Sequence, residues 1–140
     1  MGALAERLTL LRTAMQTQIP ARVVTRDLRD YGDRPEADLK RGVLTIISTG
    51  EQGLQNNPGR EAHYGRHAVI VIGQILAPSD KAPGGTVEDL EHGLVEDVKR
   101  FCRLPPPVGI DTLVMNAWRG SAQLDAPYGS VVIEMEMMGE

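Results

Sequence analysis

The chain has 140 residues, a formal net charge of −4 and a single cysteine, Cys102. That length suits one domain over residues 1–140, able to bury roughly two-thirds of its extended surface; one cysteine excludes an intrachain disulfide and fits a reducing compartment. Interspersed acids and bases argue against a nucleic-acid reader held by phosphate contacts, and the absence of a signal-peptide apolar region or of any long apolar run argues for a cytoplasmic globular protein without a membrane span.

The N-terminal segment reads as an amphipathic helix. Leu4, Leu8, Leu11 and Met15 recur at a 3.6-residue period, with Ala5 and Leu10 flanking. Pro20 ends it, because Ile19 before a proline is pushed out of the α region. Residues 22–25 then read as a short strand. Residues 27–41 hold nine charged side chains together with Gly32 and Pro35. They read as an exposed connection, longer than most, of the kind that carries function.

Residues 43–48 form a β-branched run that is apolar on both sides, followed by a polar, turn-rich loop at 50–59. A long strand over 63–76 comes next, with Val69 and Val71 pointing one way and Ile70 and Ile72 the other. A strand apolar on both faces belongs in the middle of a sheet, covered on each side. Residues 78–85 connect to a helix expected to start with Thr86 as N-cap, with Asp89 three residues on and Glu88 and Glu91 near the positive end of the dipole. Its stripe is Val87, Leu90, Leu94, Val98 and Phe101. Lys99, Arg100 and Arg103 suit its C-terminus, and Pro105-Pro106-Pro107 ends it.

Two strands, 110–118 and 128–138, close the chain. In the last, Val131, Ile133, Met135 and Met137 share one face and Ser130, Glu134 and Glu136 the other. The expected fold is therefore α+β in the order α-β-β-β-α-β-β, with a mostly antiparallel or mixed sheet of about five strands and two helices packed on one face. Two helices on one face leave the doubled apolar surfaces at 43–47 and 68–72 partly open, which marks an interface unless the sheet curls strongly enough to cover itself.

No constellation of reactive residues survives inspection of its spacing. His63 and His67 share one side of a strand with Glu61, but four extended residues span roughly 13 Å, too far for metal bonds near 2 Å without a bend at Gly65. Solvated strand-end histidines are the favoured reading. Glu134 and Glu136, with Asp111, make an acidic site only if a pocket separates their pKa values, and a plain alternating strand offers none. Cys102 sits where a helix dipole raises a thiol pKa, and His92 lies about 15 Å from it by helical rise. Gly84-Gly85-Thr86 lacks the lysine of a P-loop. Arg60, Tyr64 and Arg66 are too sparse for a stacking platform.

Three stretches carry a family resemblance: Asp38-Leu39-Lys40-Arg41-Gly42-Val43-Leu44-Thr45-Ile46-Ile47, Gly65-Arg66-His67-Ala68-Val69-Ile70-Val71-Ile72-Gly73, and Leu124-Asp125-Ala126-Pro127-Tyr128-Gly129-Ser130-Val131-Val132-Ile133-Glu134-Met135. With the element order, they resemble the tail terminator (minor tail) proteins of long-tailed bacteriophages and prophages. The resemblance implies a non-enzymatic virion protein at the head-proximal end of the tail, assembled in the host cytoplasm and needing neither cofactor nor metal. It implies a ring of copies of itself, typically six-fold, that caps the tail tube protein, stops its polymerisation and receives the head-completion protein. DNA would pass through the lumen without specific binding.

On this reading the contact residues are Asp27, Arg29, Asp30, Asp33 and Arg34 in one loop and Glu51, Gln55, Asn56 and Arg60 in the other. A head–tail connector or tail completion protein of the same assembly is the nearest alternative. A small metal- or ligand-binding regulatory domain using Glu61, His63 and His67 is an alternative from another class, and a hydrolase at Asp111, Glu134 and Glu136 ranks last.

Overall fold

The apolar period at the N-terminus becomes α1 (Ala3–Gln18), which buries Leu8, Leu11 and Met15 and leaves Leu4 exposed. The computed structural model describes residues 3–53 and 65–138. After α1 come β1 (Val23–Thr25), a 3-10 turn (Tyr31–Asp33), α2 (Glu36–Arg41), β2 (Val43–Gln52) and β3 (Arg66–Leu76). The chain closes with α3 (Gly84–Arg103), β4 (Thr112–Gly120) and β5 (Tyr128–Met138). No helix among the described residues is long and apolar enough to cross a membrane.

The five strands form one mixed sheet in the order β1-β2-β3-β5-β4. β1 runs parallel to β2, and the other neighbours are antiparallel. β3 lies centrally, as its two apolar faces require. On one face α1 and α3 press Leu11, Met15, Leu94, Val98 and Phe101 against Leu44, Ile46, Val69, Val71, Val131, Ile133 and Met135. The alternation of β5 is as expected, with Val131, Ile133, Met135 and Met137 all buried.

The expectation of two helices on one face needs correcting. A third, α2, lies on the opposite face, where Leu39 packs with Val43 and Leu76 beside Tyr31 and Tyr128. Its determinants are local. Pro35 precedes it, Glu36 and Asp38 occupy its first turn and Lys40 and Arg41 its last. Gly42 follows at φ 91, and its N–H returns to the carbonyls of Asp38 and Leu39. Six residues are too few for an apolar stripe, and only Leu39 is buried.

Two further boundaries differ from expectation. α3 starts at Gly84, with Pro83 as N-cap and no side-chain cap. The Pro83 carbonyl accepts from the Thr86 and Val87 N–H groups, at 3.0 and 3.4 Å, so Thr86 lies inside the first turn. β2 continues to Gln52 beyond a bulge between Ser48 and Gly50, where Gly50 has φ 125.

Glycines in the sheet let α3 sit close. A Cβ on Gly73 would lie 2.6 Å from Val131 Cγ2 and 3.0 Å from Leu94 Cδ1. Glu91, expected near the positive end of the helix dipole, is 2% exposed. Its Oε2 accepts from Ser121 Oγ at 2.5 Å and from the Ser130 N–H at 2.7 Å. Cβ atoms on Gly120 and Gly129 would come within 2.9 and 2.8 Å of the Glu91 side chain, so those glycines clear its niche. Arg22 ties the other end, pairing with Asp97 at 2.8 Å and donating to the Arg41 carbonyl at 2.8 Å.

Removing the Glu91 carboxylate strands a buried N–H and a hydroxyl, at a cost of about 2 kcal/mol. Glu91→Ala should lower the urea midpoint accordingly, and Glu91→Gln, which retains an acceptor for Ser130, should lose less.

Candidate interaction surfaces

The charged connection is built into the fold as well as exposed to solvent. Arg34 is half-buried: its Nε donates to Gln74 Oε1 at 3.1 Å, and its NH2 group donates to the Asp27 carbonyl at 2.5 Å and Thr45 Oγ1 at 3.4 Å. Gln74 Nε2 donates in turn to the Arg29 carbonyl at 2.9 Å. Tyr31 stacks on Tyr128 with ring centroids 4.6 Å apart, and its hydroxyl donates to the Gly129 carbonyl at 3.2 Å.

Arg34, expected among the contact residues, also holds the loop on the sheet. A guanidinium on a buried glutamine and threonine is committed to folding. Asp27, Arg29, Asp30 and Asp33 are exposed. With Leu28, which is 52% exposed, Arg29, Asp30 and Asp33 rim a shallow recess. Of the second loop, Glu51 is half-buried on β2 beside His67, while Gln55, Asn56 and Arg60 lie outside the described residues.

Among the described residues, the loop and α2 cover only one end of their sheet face. Towards the other end Ile47, Ala68, Ile70, Ile72 and Val132 stay half-buried, each pointing away from α1 and α3. Glu134 and Glu136 border this apolar strip on β5 and Arg119 borders it on β4. The two carboxylates thus frame a surface. With Asp111 exposed before β4, the three acids line no common cavity among the described residues.

His67 corrects another expectation. It is 1% exposed rather than solvated, and its Nε2 lies 2.7 Å from Ser48 Oγ. Burial lowers its pKa from the ordinary 6.5, with Arg7 lowering it further and Glu51 acting in the opposite sense. Glu61 and His63 lie outside the described residues, and among the described residues no three His, Cys, Asp or Glu side chains are placed to hold a metal ion. Cys102 is half-buried, and burial pushes its thiol up to about 11. His92 instead meets Trp118 edge-to-face, with centroids 5.5 Å apart.

Two features went unread in the sequence. One is the burial of Glu91, for which its place on the stripe of α3 next to Val87, Leu94 and Val98 was the only signal. The other is a groove of about 420 Å³ between α3 and β4, lined by Lys99, Cys102, Arg103, Leu113, Met115 and Trp118 among others. Pairing of β4 with β5 alone would have had to be known to find it.

No protein-family model and no curated protein matches the chain.

Two outcomes follow from the buried groups. The unfolded chain takes up a proton on His67 at about pH 6.5 while the folded chain resists, so folding stability should fall as the pH drops below that value. In urea titrations, His67→Gln should flatten the decline between neutral and mildly acidic pH. Cys102 should resist iodoacetamide at mildly alkaline pH while the protein is folded, and react once urea unfolds it; equal rates in both states would show the thiol to be open.

Proposed function

We propose that this chain is a structural assembly subunit without catalytic chemistry: a tail-terminator-like protein whose copies form a ring on the last ring of a phage tail tube. The ring ends tube polymerisation and presents the joining surface to the head-completion protein. The observation that carries this reading is the half-buried strip of Ile47, Ala68, Ile70, Ile72 and Val132 on the sheet face away from α1 and α3. A strip of this composition costs solubility unless another surface covers it.

The mechanism is surface complementarity. Subunits meet side by side through unlike surfaces that close by rotation, while exposed loop residues Asp27, Arg29, Asp30 and Asp33 meet the tube or a neighbouring subunit. The resemblance of the stretches around Val43, Val69 and Val131 to tail terminators supports the same conclusion. A head–tail connector would use the same surfaces at the same end of the tail.

The decisive experiment is deletion of the gene from an inducible prophage, with electron microscopy of the lysate. Overlong or headless tails are expected, and normal finished virions would sink the reading. In the same system, Ile70→Glu should keep the far-UV circular dichroism of the native chain and fail to restore finished virions. Full rescue by that variant would remove the sheet face from the interface.

A further inference from the structure

The two edges of the sheet are not equivalent. At the β1 edge, three residues long, α1 has used up the backbone groups. The Val24 N–H donates to Gln16 Oε1 at 2.9 Å, the Val24 carbonyl accepts from Arg12 at 3.4 Å, and Gln16 Nε2 donates to the Arg22 carbonyl at 2.8 Å. β4 is nine residues long and, among the described residues, pairs only with β5. It contains no proline or lysine, and its single charged residue, Arg119, is next to last. Val114 and Trp118 are 50% and 38% exposed on it. Its one irregularity, a bulge between Met115 and Ala117, leaves two straight runs, 112–115 and 117–120. Folded proteins shield a long edge with charge, proline or a covering element, and an edge without them is a template for another strand.

We propose that the outer edge of β4, with the flank of α3 beside it, docks a second copy of this chain in a two-fold antiparallel contact that joins two five-stranded sheets into one. The capped β1 edge cannot receive a foreign strand, so edge-to-edge pairing between copies must be β4 with β4, which is antiparallel by symmetry. Charge along α3 selects the same partner. Its β4-facing flank runs from Glu88, which accepts from Gln123 Nε2 at 2.7 Å, through His92 over Trp118, to Lys99, paired with Glu96 at 3.8 Å, and the exposed Arg103, so the start is acidic and the last turn carries the net positive charge.

In an antiparallel pair, Glu88 of one copy therefore approaches Arg103 of the other, and the same contact repeats across the axis. α3 packs over β5 and β4, so the two α3 helices stand about three strand spacings apart, about 14 Å. That is wider than direct helix packing, within reach of long charged side chains, and the space between is where the two grooves beside Trp118 meet. A partner with any other charge order along its flank would place like charges together.

This contact uses a different surface from the ring reading and does not depend on it. Sedimentation equilibrium of the purified full chain across the micromolar range tests it. A dimer is expected for the native chain. Val114→Lys should weaken it, as should either Glu88→Lys or Arg103→Glu alone, by about tenfold in dissociation constant, whereas Glu88→Lys with Arg103→Glu should restore it. A native chain that stays monomeric overturns the proposal. So does an oligomer of any size that is indifferent to Val114→Lys and Arg103→Glu, or a double reversal no tighter than the single ones. Circular dichroism shows whether each variant is folded; should Val114→Lys be unfolded, Arg103→Glu, at an exposed helix position, carries the test.

Discussion

The seating of α3 on the sheet is the contact on which the rest of the architecture depends. It needs a strand with a gap in its side chains, and Gly73 supplies one in the middle of β3, where Leu94 and Val131 converge. It needs a polar anchor at the helix start, and Glu91 supplies that by taking hydrogen bonds from both sides of the β4–β5 connection. Arg22 fixes the far end through Asp97. A helix held at three points by unlike interactions cannot rotate or slide without losing one of them, so the apolar stripe of α3 always meets the same strands.

From this follows the division of the sheet into unequal faces. α1 and α3 occupy most of one face, and the core of the molecule is the layer between them and the strands. Among the described residues, the other face receives what one loop and a six-residue helix can supply. Arg34 and Gln74 lock that loop through hydrogen bonds, and Leu39 and Tyr31 pack the small satellite core beneath it. Coverage stops where the loop stops, and the apolar strip centred on Ile70 and Ile72 begins there.

Much of this was legible in the amino-acid order, for reasons that differ by element. β3 and β5 could be read because their side-chain alternation is dictated by the pleat and by burial. α1 and α3 could be read from a 3.6-residue period long enough to be unambiguous. α2 could not, because one buried leucine makes no period, although Pro35, the acidic and basic turns and Gly42 all marked it. The hydrogen-bonded seats of Arg34 and His67 could not be read, for a common reason. Polar residues are assigned to solvent by default, and only the partner that a distant strand brings to them, Gln74 for one and Ser48 for the other, makes burial tolerable. Glu91 belongs with them, since the glycines that clear its niche are 29 and 38 residues away in the chain.

The capping of β1 by Gln16 and Arg12 also limits what the protein can do when it is crowded. Sheets elongate into ribbons when both edges accept a strand, since each added copy exposes a fresh edge. Here one side is sealed by side chains of the protein's own first helix, so edge pairing ends after a single step. Growth of the sheet through the β4 margin would therefore stop at a pair, because the β1 margin offers no second edge on which a ribbon could extend.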